Sequence, residues 1–269
     1  MRFRLTLKPL SNSQALLFNY QHPFMAWIYG RLKDADDAYA TFLHSRGYKA
    51  EDSRKTFKHF TFSGFQIPQL AKPIKKGDTS MLLSSEAICV VVSFFIDKAA
   101  EDFIMGLFQN QTVSIYDARY KADFIIERIE SLPNEVFDNR PVLLRTISPM
   151  VIAEKRKDGM DEYLSPTDPR FAKYFALNLF EKYNSVYEND LKLDAETASH
   201  LIRWSLVDES RLKSRLISIK QNKADGTKVR AFTNFVFEVS APPQILEVGF
   251  LGGFGKFCSH GMGCCEVVE

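Results

Sequence analysis

Long hydrophobic runs are missing from this 269-residue chain: the most apolar stretch, AICVVVSFFI from Ala87 to Ile96, is half the length a membrane span requires and reads as a buried strand. Cysteine is scarce. Of four residues, three crowd at positions 258, 264 and 265, which is not the spaced framework of a secreted disulfide fold, so reduced thiols are expected. An excess of one charge is also lacking, because 35 Lys and Arg against 33 Asp and Glu leave a net charge of only +2. The balance does not announce a nucleic-acid partner by itself, and the informative quantity becomes where the basic residues cluster. There is no close internal repeat, and no Gly-Lys-Ser/Thr to make a Walker loop. The opening MRFRLTLKPL alternates Arg2, Arg4, Thr6 and Lys8 with Phe3, Leu5 and Leu7, which predicts a strand with one wet face and not the unbroken run of a signal peptide. A cytoplasmic protein with no membrane partner is the expectation.

What is present is ordinary globular material, 45% hydrophobic and 25% charged, enough for one large domain or two small ones. Phe24, Trp27, Ile28 and Leu32 recur at helical spacing after Pro23, and Ala38, Tyr39, Phe42 and Leu43 form a second apolar stripe between Asp34, Asp36 and Asp37 and a closing Gly47, the acids suiting a helix start and the glycine its C-cap. FKHFTFSGFQI and residues 87–96 read as strands, AAEDFIMGLFQ as a helix and DFIIERIE as a strand. The order β, α in two pieces, β, β, α, β is that of a ferredoxin-like unit. SLPNEVFDNRP, residues 131–141, is polar and turn-rich and marks a boundary. Beyond it come a strand VLLRTIS, a helix with Asp168 as N-cap and Pro169 in its first turn, a helical piece AETASHLIRW, two strands RLISIK and VRAFTNFVFEVS around QNKADGT, then QILEVGF, the glycine segment and a final strand CCEVV. The reading is α+β, two ferredoxin-like domains in tandem over 1–135 and 140–269.

Three features carry chemistry. GGFGKFCSHGMG, Gly252 to Gly263, holds five glycines in twelve positions, an entropic cost that implies left-handed backbone or close approach to something. A dinucleotide fingerprint has to open a helix after a strand, and the six remaining residues are strand-like. The pairs Gly253, Gly255 and Gly261, Gly263 bracket a short loop that can face a phosphate chain or press on a neighbouring sheet. Arg211 to Arg230 carries seven Lys or Arg against one Asp, the pattern of a phosphate-gripping or simply solvated hairpin, with Lys220, Lys223, Lys228 and Arg230 as the phosphate ligands. Cys258, His260, Cys264 and Cys265 are zinc-type ligands, but adjacent cysteines on a strand point to opposite faces, leaving at most three. No metal and no cofactor are expected.

A C-terminal GFGxxxxxGxG followed by a short strand, on paired ferredoxin-like halves that begin MRFRLTLKP, resembles the CRISPR repeat-processing endoribonucleases, the Cas six family of the RAMP superfamily. WIYGRL, FLHSRGY and KHFTFS in the first half and RTISPM in the second extend the resemblance along the chain. It implies an RNA partner, CRISPR repeat RNA or precursor crRNA, held against the glycine loop, with other Cas proteins as further partners and a monomer or homodimer as the assembly. From members with a tyrosine, histidine and lysine site it implies Tyr29 in the context IYG, His44 in LHxxxG and Lys58 before the FTFS strand. Metal-free RNA cleavage needs a group that takes the 2′-hydroxyl proton, a group that protonates the leaving 5′-oxygen, and a cation near the phosphorane. Histidine, with an ordinary pKa near 6.5, suits proton transfer, and the last turn of a helix favours its cation, so His44 is the expected acid. Tyr29 positions the 2′-hydroxyl or is its partner, and Lys58 supplies charge. The products would be a 5′-hydroxyl and a 2′,3′-cyclic phosphate. The competing readings are an RNA-binding RAMP subunit that does not cut, and a protein that binds a small phosphorylated ligand at the glycine loop. His59 is expected on the opposite strand face from Lys58, and His22 in a turn.

Overall fold

The computed structural model describes residues 1–11, 13–50, 53, 55–75, 77–187, 195–219 and 227–268. Its first half comprises β1 (Arg2–Pro9), β2 (Ala15–Leu17), α1 (Gln21–Ala35), α2 (Asp37–Ser45), β3 (Phe60–Phe62), β4 (Ser80–Leu82), β5 (Ile88–Phe94), α3 (Asp97–Gln109), β6 (Thr112–Tyr116) and β7 (Lys121–Ser131). Five strands form one antiparallel sheet in the order β3-β5-β1-β7-β6. The alternation in β1 places Phe3, Leu5 and Leu7 inward against Phe24, Ile28 and Leu32 of α1 and Phe103 and Leu107 of α3, each fully buried side chain contributing roughly 1.5–3 kcal/mol. Gly106 lets α3 lie on α1, for a Cβ there would stand 1.9 Å from the Arg31 carbonyl oxygen. The polar face of β1 is not wholly wet. Arg2 is buried, donating to the Cys265 carbonyl at 2.8 Å and lying 4.2 Å over the Phe250 ring, because that face turns toward the second half.

The second half runs β8 (Val142–Thr146), β9 (Ile152–Lys155), β10 (Asp161–Leu164), α4 (Phe171–Tyr187), α5 (Ala195–Leu201), β11 (Arg203–Asp208), β12 (Lys213–Ile219), β13 (Thr227–Thr233), β14 (Val236–Ser240), α6 (Pro243–Gly252) and β15 (Cys265–Val267). The order β11-β14-β8-β15, with α4 and α6 as its two helices, is a second ferredoxin-like unit. Two hairpins, β9 with β10 and β12 with β13, are added to it. Its core gathers Phe171, Phe175, Leu179, Phe237, Ile245 and Phe254.

QILEVGF, to which the sequence reading gave no element, lies in helix α6, its Pro243 in the first turn, where proline's fixed φ fits. Local readings differ from the structure elsewhere: the helical piece AETASHLIRW ends at Leu201, and its Arg203 and Trp204 open β11. VRAFTNFVFEVS is two strands, split where Asn234 takes φ +61°, a conformation asparagine tolerates. The helix after Asp168 starts at Phe171, with the Asp168 carboxylate accepting from the Arg170 N–H at 2.8 Å as a turn that precedes it.

Candidate active site and nucleic-acid interface

The site is assembled by short-range geometry. Asp36 caps α2, its carboxylate accepting from the Tyr39 N–H at 2.9 Å, and the helix runs to Ser45 with His44 exposed in its last turn. Gly47 follows at φ +68° and donates its N–H to the Phe42 carbonyl at 2.9 Å, the left-handed close of a helix. Only glycine fits there, since a Cβ would stand 2.6 Å from the Phe57 carbonyl oxygen and 2.9 Å from Lys58 Nζ. Tyr48 and Phe57 then exchange backbone hydrogen bonds of 2.9 and 2.8 Å, which folds the chain back and brings Lys58 Nζ 3.0 Å from the His44 carbonyl oxygen.

Tyr29, on α1, completes the group. Its ring meets the His44 ring edge-on at 5.2 Å between centroids and the Phe60 ring at 5.5 Å. Tyr29, His44 and Lys58 therefore converge in space from three separate elements. Burial pushes the Tyr29 phenol above its usual range, which makes it a weaker base still and suits it to orienting a hydroxyl. Partial burial lowers the Lys58 ammonium, so an anion beside it recovers electrostatic energy lost to desolvation.

His59 is buried at 3% exposure, its Nε2 sharing a hydrogen bond with Ser185 Oγ at 2.8 Å. Desolvation, with the Lys182 charge adding to it, lowers its pKa to about 3. It is a neutral packing residue. His22 belongs to the first turn of α1, not to a turn before it, and stacks at 6.2 Å on His260 of the glycine loop.

The four paired glycines of that loop are buried and take φ between +69° and +87°. Each missing Cβ faces protein: at Gly253 the Cys258 side chain and Thr61, at Gly255 the Val151 carbonyl, at Gly261 the Phe62 ring at 2.2 Å, and at Gly263 the Phe254 carbonyl at 1.8 Å. The loop is thus a spacer that presses the second half onto β3 of the first, pinned where Thr61 Oγ1 donates to the Met262 carbonyl at 2.8 Å. Cys258 accepts from Lys182 Nζ at 3.0 Å, and Cys264 lies against Arg2. The loop's partly exposed residues are Lys256, Phe257, Ser259 and His260.

The β12–β13 hairpin sits on this loop. Ile217, Ile219, Val229 and Ala231 pack on Met262 and Val151, while Lys228 and Arg230 stand exposed on the outer face, Arg230 Nη1 donating to Ser214 Oγ at 3.1 Å. Lys220 and Lys223 lie outside the described residues. Lys182 is the residue the sequence reading missed. It falls three positions after Leu179 on the buried stripe of α4, and a lone charge on an apolar stripe was the signal available.

Comparison with known proteins matches residues 15–130 to the family model for the N-terminal part of CRISPR-associated protein Cas6 and residues 132–267 to the model for its C-terminal part. The CRISPR-associated endoribonuclease Cas6 1 of Methanocaldococcus jannaschii is 24% identical over 100% of this chain and 93% of its own length. The CRISPR-associated endoribonuclease Cas6 of Pyrococcus furiosus is 25% identical over 99% and 90%. The solved structure of a Cas6-related protein from Pyrococcus furiosus superposes with a TM-score of 0.78 at 19% identity, covering 100% of this chain and 98% of the other, which establishes the shared fold. With both halves matched in order, and the tandem ferredoxin-like architecture beneath them, the chain belongs to the Cas6 family of CRISPR-associated proteins.

Proposed function

We propose that this protein is an endoribonuclease that cuts CRISPR repeat RNA by attack of a ribose 2′-hydroxyl on its neighbouring phosphate, leaving a 5′-hydroxyl and a 2′,3′-cyclic phosphate. The observation that carries the reading is the convergence of Tyr29, His44 and Lys58, with His44 exposed and the Tyr29 and His44 rings 5.2 Å apart. His44, at the negative end of α2, holds a proton for the leaving 5′-oxygen. Tyr29 orients the 2′-hydroxyl from a fixed place beside the core. Lys58 stands over the charge that grows on the phosphorane. These groups supply proton transfer and charge without calling on a metal ion or cofactor.

Lys228 and Arg230 of the hairpin, together with Lys220 and Lys223 of the same basic stretch of sequence, grip backbone phosphates. The four glycines serve the RNA by holding the loop's neighbouring residues in place, and the backbone lies along that surface. A transcript as substrate places the work in the cytoplasm, as a monomer or homodimer and alongside other Cas proteins. Incubating one repeat of RNA with the protein in EDTA tests the reading: one discrete cut with a 5′-hydroxyl end is expected. Tight binding with no cut would instead assign the chain as an RNA-holding subunit.

A further inference from the structure

A cavity of about 540 Å³ opens beside Lys58, between the chain leading into β3, helix α4, strand β9 and the glycine loop. Its size is that of a small-ligand site. The walls are largely apolar and include Phe57, Phe257, Ile152, Leu177 and Phe180.

Its charge is selective. Lys55 pairs with Glu181 at 2.6 Å, and Lys155 and Lys256 both pair with Asp161, so those lysines are neutralised. Among the described residues, Lys58 at the edge and Lys182 in the wall form no ion pair with a carboxylate. Lys182 is 3% exposed, and its ammonium donates to the Gly253 carbonyl and to Cys258 Sγ. A buried ammonium beside only neutral partners is costly, and a nearby anion lowers that cost.

The backbone adds a second, independent sign. Of the non-glycine residues at positive φ among the described residues, two line this cavity: His59 at +51° and Phe257 at +61°. Histidine visits that region fairly readily, but a phenylalanine there is a true outlier that the surrounding structure must hold in place. The strain places the Phe257 ring on the cavity wall. His59 Nε2–H must donate to Ser185, because the Ser185 hydroxyl is itself spent on the Lys182 carbonyl at 2.7 Å. Among the described residues its Nδ1 is then a buried acceptor with no donor, on the Gly252 side of the same wall.

We propose that this cavity receives one unpaired nucleotide of the bound RNA, the one flanking the scissile linkage, with its base against the aromatic wall to which Phe57 and Phe257 contribute and its phosphate at Lys58. The inference rests on the endoribonuclease reading for the identity of the strand. Lys58 belongs both to the reacting cluster and to the cavity edge, so a strand whose scissile phosphate lies at Lys58 has its next base at the cavity mouth. Aromatic walls and a positive edge are the means by which proteins hold an unstacked base of single-stranded RNA.

The test uses the full chain and one repeat of RNA carrying a 2′-deoxyribose at the cut, so that it binds without reacting. Abasic sites are placed singly at each of the three positions on either side of the linkage. One position is expected to lose about 5- to 100-fold in affinity, the worth of one stacked base. Two filled-cavity variants, Ala153→Phe and Leu177→Trp, should bind intact RNA weakly by a similar factor and show no further loss with the abasic RNA. An abasic series silent at every position overturns the proposal, as do filled variants that stay sensitive to it. Binding of 5′-AMP to the unmodified protein with a silent abasic series would assign the cavity to a free nucleotide and equally overturn it. The two readings fail separately: a cleavable repeat left uncut with a position-specific abasic loss removes the nuclease and keeps the cavity, whereas a clean cut with a silent series does the reverse.

Discussion

At the scale of single residues, the prediction that matters most concerns His44. Its side chain is exposed and meets the Tyr29 ring edge-on, so its removal should cost chemistry and not folding. His44→Ala is expected to slow single-turnover cleavage by about 10²- to 10⁴-fold, the usual worth of one proton-transfer group, while affinity for uncleavable RNA stays nearly unchanged. A variant that cuts at the native rate would remove His44 from the mechanism. His59 makes the opposite case, a histidine whose titration reports on stability. With a folded pKa of about 3 against an unfolded value near 6.5, the ring is neutral in both states above pH 6.5. Below that pH the unfolded chain takes up a proton that the folded chain refuses. Stability is therefore full above pH 6.5 and declines from there toward pH 3, by about tenfold in the folding equilibrium per pH unit. Urea unfolding between pH 7 and pH 5 should show this slope in the native protein and lose much of it in His59→Gln; equal slopes in both would sink the assignment. Why the sequence allowed one histidine to be weighed and not the other is a matter of neighbours. His44 and Tyr29 sit on helices whose periodicity gives their faces, whereas the burial of His59 depends on Ser185 and Lys182, 126 and 123 positions away in the chain.

At the scale of elements, the glycine loop shows what patterning conveys and what it hides. Its spacing announced left-handed backbone, and the four glycines are left-handed. What the missing Cβ atoms face could not be read, because it is β3 of the other half at Gly253 and Gly261, the distant Val151 backbone at Gly255 and the loop's own folded-back Phe254 at Gly263. The consequence is testable by pairing two glycines of nearly the same φ. Gly159, at +79°, has nothing within 4 Å of an added Cβ, whereas at Gly263, at +69°, that atom would meet the Phe254 carbonyl at 1.8 Å. Gly159→Ala should cost only the left-handed penalty of about 1–2 kcal/mol. Gly263→Ala should cost clearly more, because rigid backbone must move, and thermal melting compares the two directly. Equal losses would mean that the loop backbone shifts freely around position 263. Elements that were legible owed it to local signals: the alternation of β1, the stripes of α1 to α3 and the turn-rich 131–141 stretch. Strands β2, β4 and β6 were not. They are three to five residues long, too short for a period to register, and β6 exists because β7 offers it an edge.

At the scale of the whole molecule, the question is whether hairpin, glycine loop and reacting cluster act as one body. The contacts run continuously. The inner face of the β12–β13 hairpin packs on Met262, the Met262 carbonyl accepts from Thr61 on β3, and β3 begins two residues after Lys58. Ser93 Oγ, donating to the Leu251 carbonyl at 2.8 Å, and the Gly64 N–H, donating to the Ile147 carbonyl at 2.8 Å, tie the two halves further. Phosphates held at the outer face of the hairpin are therefore held at a fixed offset from Lys58, and binding and chemistry should separate cleanly. In Lys228→Ala/Arg230→Ala, two exposed cations are lost from a face whose apolar underside is untouched. If each neutralises one phosphate of a single strand, the slope of log affinity against log salt should become shallower by about 1.4. The cleavage rate at saturating RNA should stay where it was, since Tyr29 and His44 stand on other elements and Lys58 just before β3. Affinity measured by titration from low to moderate salt gives the slope, and single-turnover cleavage gives the rate. An unchanged slope would take the hairpin out of the RNA path. A changed slope with a slowed saturated rate would mean that the hairpin also sets the position of the scissile phosphate, and that the rigid mounting through Met262 and Thr61 transmits it.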